Sequence, residues 1–254
     1  TYTIEGEPEP EPEPVTEYAY YEGTNNHDVR ALKSFTIADV DTESSMTVEN
    51  IQVSGGGSPI YVDKTENVFE VKAGSTLYFE EFDWAGEWMH AYAYIDYNND
   101  FTFDQVANAD GTTGGELVTY NCYSTDGGST YQDIWGNNAS ASNANHDTYY
   151  DEDFNESKGL PQFYLPADLA AGDYRMRIKI DWNNIDANGT SDMHTNGGCQ
   201  CDIIIKLAEV IDTPVDGVEV SDGEKVIYDL SGRKLAEITE PGIYIVNGVK
   251  VLVK

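Results

Sequence analysis

The chain contains no run of the ~18 apolar residues that a membrane-crossing helix needs, so direct insertion into a bilayer is not expected. Positive charge is scarce: 14 Lys and Arg stand against 46 Asp and Glu, a net charge of -32. Such a field repels phosphate backbones and anionic lipid, which argues against nucleic acid as a partner, and it attracts cations. No stretch longer than a turn or two repeats at the 3.6-residue helical period. The histidines His27, His90, His146 and His194 are scattered, and none has the spacing of a zinc site or a triad. No Ser lies in a G-x-S-x-G context. Cysteine is limited to Cys122, Cys199 and Cys201. In an oxidising compartment Cys122 would bridge Cys199 or Cys201 and leave one thiol over. Three sulfurs with no neighbouring His make a weak zinc set. Buried free thiols are the third alternative.

What the chain has in quantity is Tyr (18 residues), with Thr, Val, Ile, Gly and Asn, the vocabulary of strands joined by turns. Alternation bounded by Gly, Asn and Asp clusters predicts strands near 29–37, 46–53, 67–72, 76–82, 88–96, 116–123, 161–165, 173–181 and 202–210. Val68–Val71 and Thr76–Phe79, flanking Ala73-Gly74-Ser75, read as a hairpin. Tyr174 to Ile180 alternates polar and apolar as a half-buried strand should. The fold class expected is all-β: a jelly-roll-like antiparallel β-sandwich over 18–210 and a small β-domain over 214–254. In the second, four short strands are expected at 218–220, 225–229, 243–246 and 249–253, with Asn247-Gly248 as a two-residue hairpin turn. The charge balance shifts between them, from 33 acidic and 9 basic residues in 18–213 to 7 and 5 in 214–254. Residues 1–17 contain EGEPEPEPEP, an acidic Glu/Pro spacer that cannot build a core. At a bacterial surface it would hold the body away from an upstream lipid anchor. Thr1 is not a natural start, and a chain trimmed after a secretion signal would begin this way.

The segment YIDYNNDFTFDQ, 94–105, places Asp96, Asn98, Asp100, Thr102 and Asp104 at alternate positions after a strand. Oxygen ligands at places 1, 3, 5, 7 and 9 match the start of a calcium loop, since a chain curling around an ion turns alternate residues inward. Phe101 stands at the sixth place, where an EF-hand has Gly, and Ala107 at the twelfth, where it has Glu. This is therefore not an EF-hand, and Glu116 would supply the missing carboxylate. Ile180-Asp181-Trp182-Asn183-Asn184 echoes the pattern, so Asp181 joins the set if the two strand ends are neighbours. The plainer alternative is a pair of Asx turns capping strand ends. Residues 124–158 are rich in Ser, Asn, Gly and Asp, long for a loop in a compact domain, and carry Trp135, Tyr149 and Tyr150. Trp84, Trp88, Trp135 and Trp182 have the flat rings that stack on pyranoses, although most Trp in a sandwich are core or rim residues. Trp135, Tyr149 and Trp182 are the candidate ligand-binding residues. Paired carboxylates for glycoside hydrolysis could hide among so many acids.

Two resemblances follow from particular motifs. Residues 227–254 show Tyr228-Asp229 with Gly232-Arg233, then Gly242-Ile243-Tyr244, then Lys250. They resemble the C-terminal sorting-type domain of Bacteroidetes secreted proteins, which implies export and surface attachment. The body resembles the GEVED-type β-sandwich of secreted bacterial proteins over about 50–207. The matching pieces are Tyr61-Val62-Asp63 with Thr65, Val71 with Gly74, Ile95-Asp96-Tyr97-Asn98 with Asp100 and Phe103, Gly115-Glu116, Leu165-Pro166, and Gly172 to Arg177 with its Arg175-Met176-Arg177. The name-giving motif departs, reading Gly198-Cys199-Gln200-Cys201-Asp202-Ile203, with both glutamates replaced by cysteine. The resemblance implies a surface-exposed, non-catalytic module. The expectation is a secreted or cell-surface module for adhesion or glycan binding, tied by calcium, with a surface glycan or protein as partner. A glycoside hydrolase or its accessory domain, and a purely structural surface component, are the alternatives.

Overall fold

The computed structural model describes residues 14–53, 56–85, 89–107, 113–134, 136, 138, 149–151, 156–158, 160–208, 226–229, 232–239, 241–246 and 249–253; for 85, 105–107, 113–114, 149–151, 156–158, 249–250 and 252 it describes the backbone alone. The chain divides into two compact units, Thr1–Glu209 and Val210–Lys254. The first begins with β1 (Ala31–Asp39), β2 (Ser45–Val48), β3 (Tyr61–Val71), β4 (Thr76–Ala85) and β5 (His90–Ile95). Short strands follow: β6 (Gln105–Ala107), β7 (Thr113–Gly115), β8 (Leu117–Tyr120), β9 (Tyr149–Asp151), β10 (Glu156–Lys158) and β11 (Phe163–Tyr164). It closes with β12 (Gly172–Asp181), the one-turn helix α1 (Asp192–Asn196) and β13 (Cys199–Leu207).

Two sheets carry the body, one ordered β11-β4-β1-β2 and the other β3-β13-β12-β5-β8. Their facing side chains form a single apolar cluster that includes Phe35, Ile37, Leu77, Phe79 and Trp84 from one sheet and Ala93, Met176, Ile178 and Ile203 from the other. The fold is thus all-β, as the alternation predicts, and Trp84 is a core residue at 2% exposure. Pairing is antiparallel except between β3 and β13, which run parallel. That pairing corrects the expected hairpin: Val68–Val71 and Thr76–Phe79 lie in different sheets. The chain crosses between them through Gly74, which sits at φ +81°, while Val71 and Leu77 enter the same core from opposite sides. The local turn signal was correct, but the apolar faces of the two strands had to meet across the sandwich rather than side by side.

The outer face of the five-stranded sheet is covered as well. Residues 18–25 and 182–198 lie over it, and Tyr92, Tyr94, Phe103, Leu117, Tyr120 and Ala187 make a second, smaller cluster there. The second unit pairs β14 (Ile227–Asp229), β15 (Lys234–Leu235), β16 (Gly242–Val246) and β17 (Val249–Val253) in the order β15-β14-β16-β17. The register Val246↔Val249 leaves two residues for the turn, as the Asn247-Gly248 signal requires. The strand expected at 218–220 lies outside the described residues.

Candidate functional site

The 96–104 loop begins where β5 ends, and it closes on itself through side-chain oxygens. Asp96 accepts the amides of Asp100 (3.3 Å) and Phe101 (3.1 Å) and the Tyr18 hydroxyl (2.6 Å). Asn98 Oδ1 accepts the Asp100 amide at 2.9 Å, and Asp100 accepts the amide and hydroxyl of Thr102 at 2.9 and 2.6 Å. Glu116 reaches across from the turn between β7 and β8: Oε1 accepts the Tyr97 amide at 2.7 Å and Oε2 the Asp104 amide at 2.9 Å. Gly115 permits this approach, because a Cβ there would stand 2.6 Å from the Asp104 carbonyl oxygen, at φ +61°. Burial raises the Glu116 carboxyl above its usual range, against the pull of those amides. Phe101 takes φ +68° at the sixth place, the conformation for which an EF-hand uses Gly. Its ring packs 5.3 Å from Tyr18, which offsets the strain of a bulky residue there. The loop therefore brings Asp96, Asn98, Asp100, Thr102 and Glu116 together, with Asp104 joined through its backbone.

Asp181 belongs elsewhere. β5 and β12 are antiparallel, with Ile95 opposite Met176 and His90 opposite Asp181. The two Ile-Asp-aromatic-Asn-Asn segments thus leave opposite ends of the sheet, about 20 Å apart at ~3.3 Å per residue. They do not share one site. The Asp181 carboxylate is buried and pairs with Lys179 at 2.8 Å. Among the described residues no group of three His, Cys, Asp or Glu side chains stands ready to hold a metal. A cation at 96–104 would draw on the amide oxygen of Asn98 and on backbone carbonyls besides Asp96 and Asp100.

The disulfide expectation is corrected. All three cysteines are free and buried. Cys199 and Cys201 point from β13 into the core between the sheets. Cys122 follows β8, three strands away, about 14 Å at ~4.8 Å per strand and beyond the ~7 Å between Cα atoms that a bridge tolerates. Burial pushes the Cys122 thiol up to about 12, so it is not a reactive thiolate.

The polar face of β12 holds what the sequence did not reveal. Arg177 is fully buried and grips Asp202 on β13 with two bonds, Nε to Oδ1 at 2.7 Å and Nη2 to Oδ2 at 2.9 Å. Its third nitrogen donates to the carbonyls of Ala19 and Ala187. Arg175 and the Tyr61 hydroxyl reach the same carboxylate at 3.1 and 3.2 Å. Burial, with Asp202 next, raises the Tyr61 hydroxyl well above the phenol range. Tyr61, Arg175, Arg177 and Asp202 thus meet at one point. On the opposite face of β13, Cys199 and Cys201 lie in the apolar core, which suits neutral thiols.

At the far end of the sheet Trp182 is 40% exposed, with the Arg30 guanidinium 4.9 Å above its ring. Asn183, next to it, donates its amide to His90 Nδ1 at 2.9 Å and accepts the Ser124 amide at 3.1 Å. The segment from Ser124 is folded by Asp126, which accepts from Ser124, Ser129 and Thr130. Those bonds hold its carboxyl down at about 2. The structure thereby sets Trp182 beside the start of the long Ser/Asn/Asp segment. Tyr149 lies in the β9–β10 hairpin, described by backbone alone; Trp135 and Trp88 lie outside the described residues. In comparisons with known proteins, no family model, no curated protein and no solved structure matches the chain.

Proposed function

We propose that this chain is an exported, surface-held, non-catalytic β-sandwich module that binds a glycan or a protein ligand at the Trp182 end of its five-stranded sheet. The observation that carries the proposal is the half-exposed Trp182 ring, braced by Arg30 and flanked by Asn183 and the Asp126-folded segment. A fixed flat ring with amide and hydroxyl groups beside it offers stacking and hydrogen bonds to a sugar or an extended peptide at low entropic cost. The buried carboxylates Asp96, Asp181 and Asp202 are each taken up by cations, amides or a hydroxyl, which favours a structural role for them over acid–base work. The sorting-like motifs of 227–254 support export. A glycan array followed by titration of the best ligand tests this. Trp182→Ala is expected to weaken binding tenfold or more, ~1.4 kcal/mol, with an unchanged melting midpoint. Turnover of the bound glycan would replace the proposal with a glycoside hydrolase.

Calcium enters as the stabiliser of the 96–104 loop. The curl of the loop and the left-handed Phe101 support it. Adding calcium after EDTA is expected to raise the melting midpoint by several degrees, ~2.7 kcal/mol at a hundredfold excess over Kd, and Asp100→Ala to abolish the rise. An unchanged midpoint in the wild type would make the loop a self-contained Asx turn.

A further inference from the structure

The stretch ahead of β1 lies on the outer face of the five-stranded sheet as an arm in a built seat. Tyr18 sits against Phe101 and Phe103, at 5.3 and 5.4 Å, with the Arg175 guanidinium 4.5 Å from its ring. Tyr20 stacks on Tyr61 with 3.9 Å between ring centroids. Between and beyond these rings the main chain is held too. The Ala19 carbonyl accepts from Arg177 at 2.7 Å, and the Tyr21 amide donates to Gln200 Oε1 at 2.9 Å. Arg177 and Gln200 are both fully buried. Rings in side-chain sites, with main-chain groups matched beside them, are the means by which a receptor reads an extended peptide. Among the described residues Tyr18 to Glu22 pairs with no strand. Pairing begins at Gly23, whose carbonyl accepts the Ile60 amide at 2.9 Å, and at Thr24, bridged to Pro59. Asn25, fully buried, bonds the Arg30 and Ser58 carbonyls. The arm therefore ends at a fixed pivot, and residues 18–22 can lift without breaking a sheet ladder.

We propose that the seat accepts the arm of a second copy of this chain, so that two copies exchange residues 18–22 and close as a dimer. A second copy brings the identical segment, so each contact broken within one chain is remade between two, which makes exchange a low-cost route to a dimer. The seat also resists standing empty. A lifted arm takes from Arg177 one of its carbonyls and from Gln200 the donor to its Oε1, and buried polar groups without partners are costly. An arm that leaves is thus replaced, and the segment that fits is the arm of another copy.

The test is sedimentation velocity of the full chain in about 0.15 M salt, which screens the repulsion between acidic copies. Wild type is expected to show a dimer whose fraction rises with concentration. An excess of a synthetic peptide of residues 14–25 is expected to dissolve that dimer by filling the seats, and the same peptide carrying Tyr18→Ala/Tyr20→Ala is not. A complementary pair checks the contact itself. Tyr20→Ala keeps the seat and spoils the arm, while Tyr61→Ala keeps the arm and spoils the seat. Their mixture restores the Tyr20–Tyr61 stack between chains and is expected to associate about fivefold more strongly than either alone. A wild type that stays monomeric at every concentration would overturn the proposal, as would a dimer indifferent to the peptide or a mixture no stronger than its parts. Peptide bound by a chain that never dimerises would also overturn it, by making the seat a receptor for a segment of another protein. Trp182→Ala leaves the dimer unchanged, so the seat and the Trp182 site succeed or fail separately.

Discussion

Replacing Asp202 with alanine is expected to destabilise the body by about 3–5 kcal/mol, enough to consume much of the ~5–15 kcal/mol of a typical domain. The carboxylate is completely buried and is the shared acceptor for Arg177, Arg175 and Tyr61. Removing it leaves the Arg177 guanidinium buried with the carbonyls of Ala19 and Ala187 and the rings of Tyr61 and Phe103 but no anion, and an uncompensated buried charge is far more costly than a lost hydrogen bond. The effect should reach past the sheet, since those same carbonyls hold residues 18–25 and the 182–198 segment in place. Urea denaturation measures it. The partner experiment separates mechanism from magnitude: Arg177→Met with Asp202→Leu removes both charges and keeps the volume, and should recover most of the loss. A loss under ~1 kcal/mol for Asp202→Ala would mean that water enters the cluster freely and that the outer cover is loose.

The same cluster shows what was legible in the sequence and what was not. β12 was expected at 173–181 and runs from Gly172 to Asp181, because strict alternation over nine residues fixes both the type and the extent of a strand. Alternation also implied that Arg175, Arg177 and Lys179 face water, and this is where the sequence misled. Period-two patterning reports which residues share a face, and says nothing about whether a distant segment, here Tyr18 to Asn25, lies over it. Opposite charges on neighbouring strands, Arg177 against Asp202, were the available signal, and it needed the register to become visible. β13 came out three residues earlier than expected, at Cys199–Leu207, since Cys-Gln-Cys reads as neither apolar nor polar on its own. The calcium-like loop was legible as a curl, from Asx residues at alternate places. Its link to Glu116 was legible only through the Gly115 turn, and the separation from Asp181 only through the antiparallel pairing of β5 and β12.

His90 is expected to make the body acid-labile between pH 6.5 and 4. Its ring is 2% exposed, and burial lowers its pKa to about 4, against a smaller opposing pull from the Asp181 backbone. Nδ1 accepts the Asn183 amide at 2.9 Å, so the neutral ring carries its hydrogen on Nε2, which is buried with no hydrogen-bond partner. A second proton would sit on Nδ1, facing another donor. The folded state thus holds the neutral ring, while the unfolded chain protonates near 6.5. Stability from this group is fully present above pH 6.5 and is lost as pH falls through 4, amounting to about 3 kcal/mol. The surroundings do not reverse the sign: Tyr92 and Tyr131 flank the ring, and the Asp181 carboxylate across the strand pair is already matched by Lys179. Glu116 works the other way, since its raised pKa gives stability that fades as pH rises. Asp126, held near 2, loses its contribution only at lower pH. Urea midpoints measured across pH 4 to 8 should fall toward acid in the wild type and fall much less in His90→Gln. An equal fall in both would assign the acid sensitivity to carboxylates. The expected difference would tie the Trp182–Asn183 turn, through the His90–Asn183–Ser124 chain of bonds, to a single imidazole that must remain neutral for that end of the sheet to hold its shape.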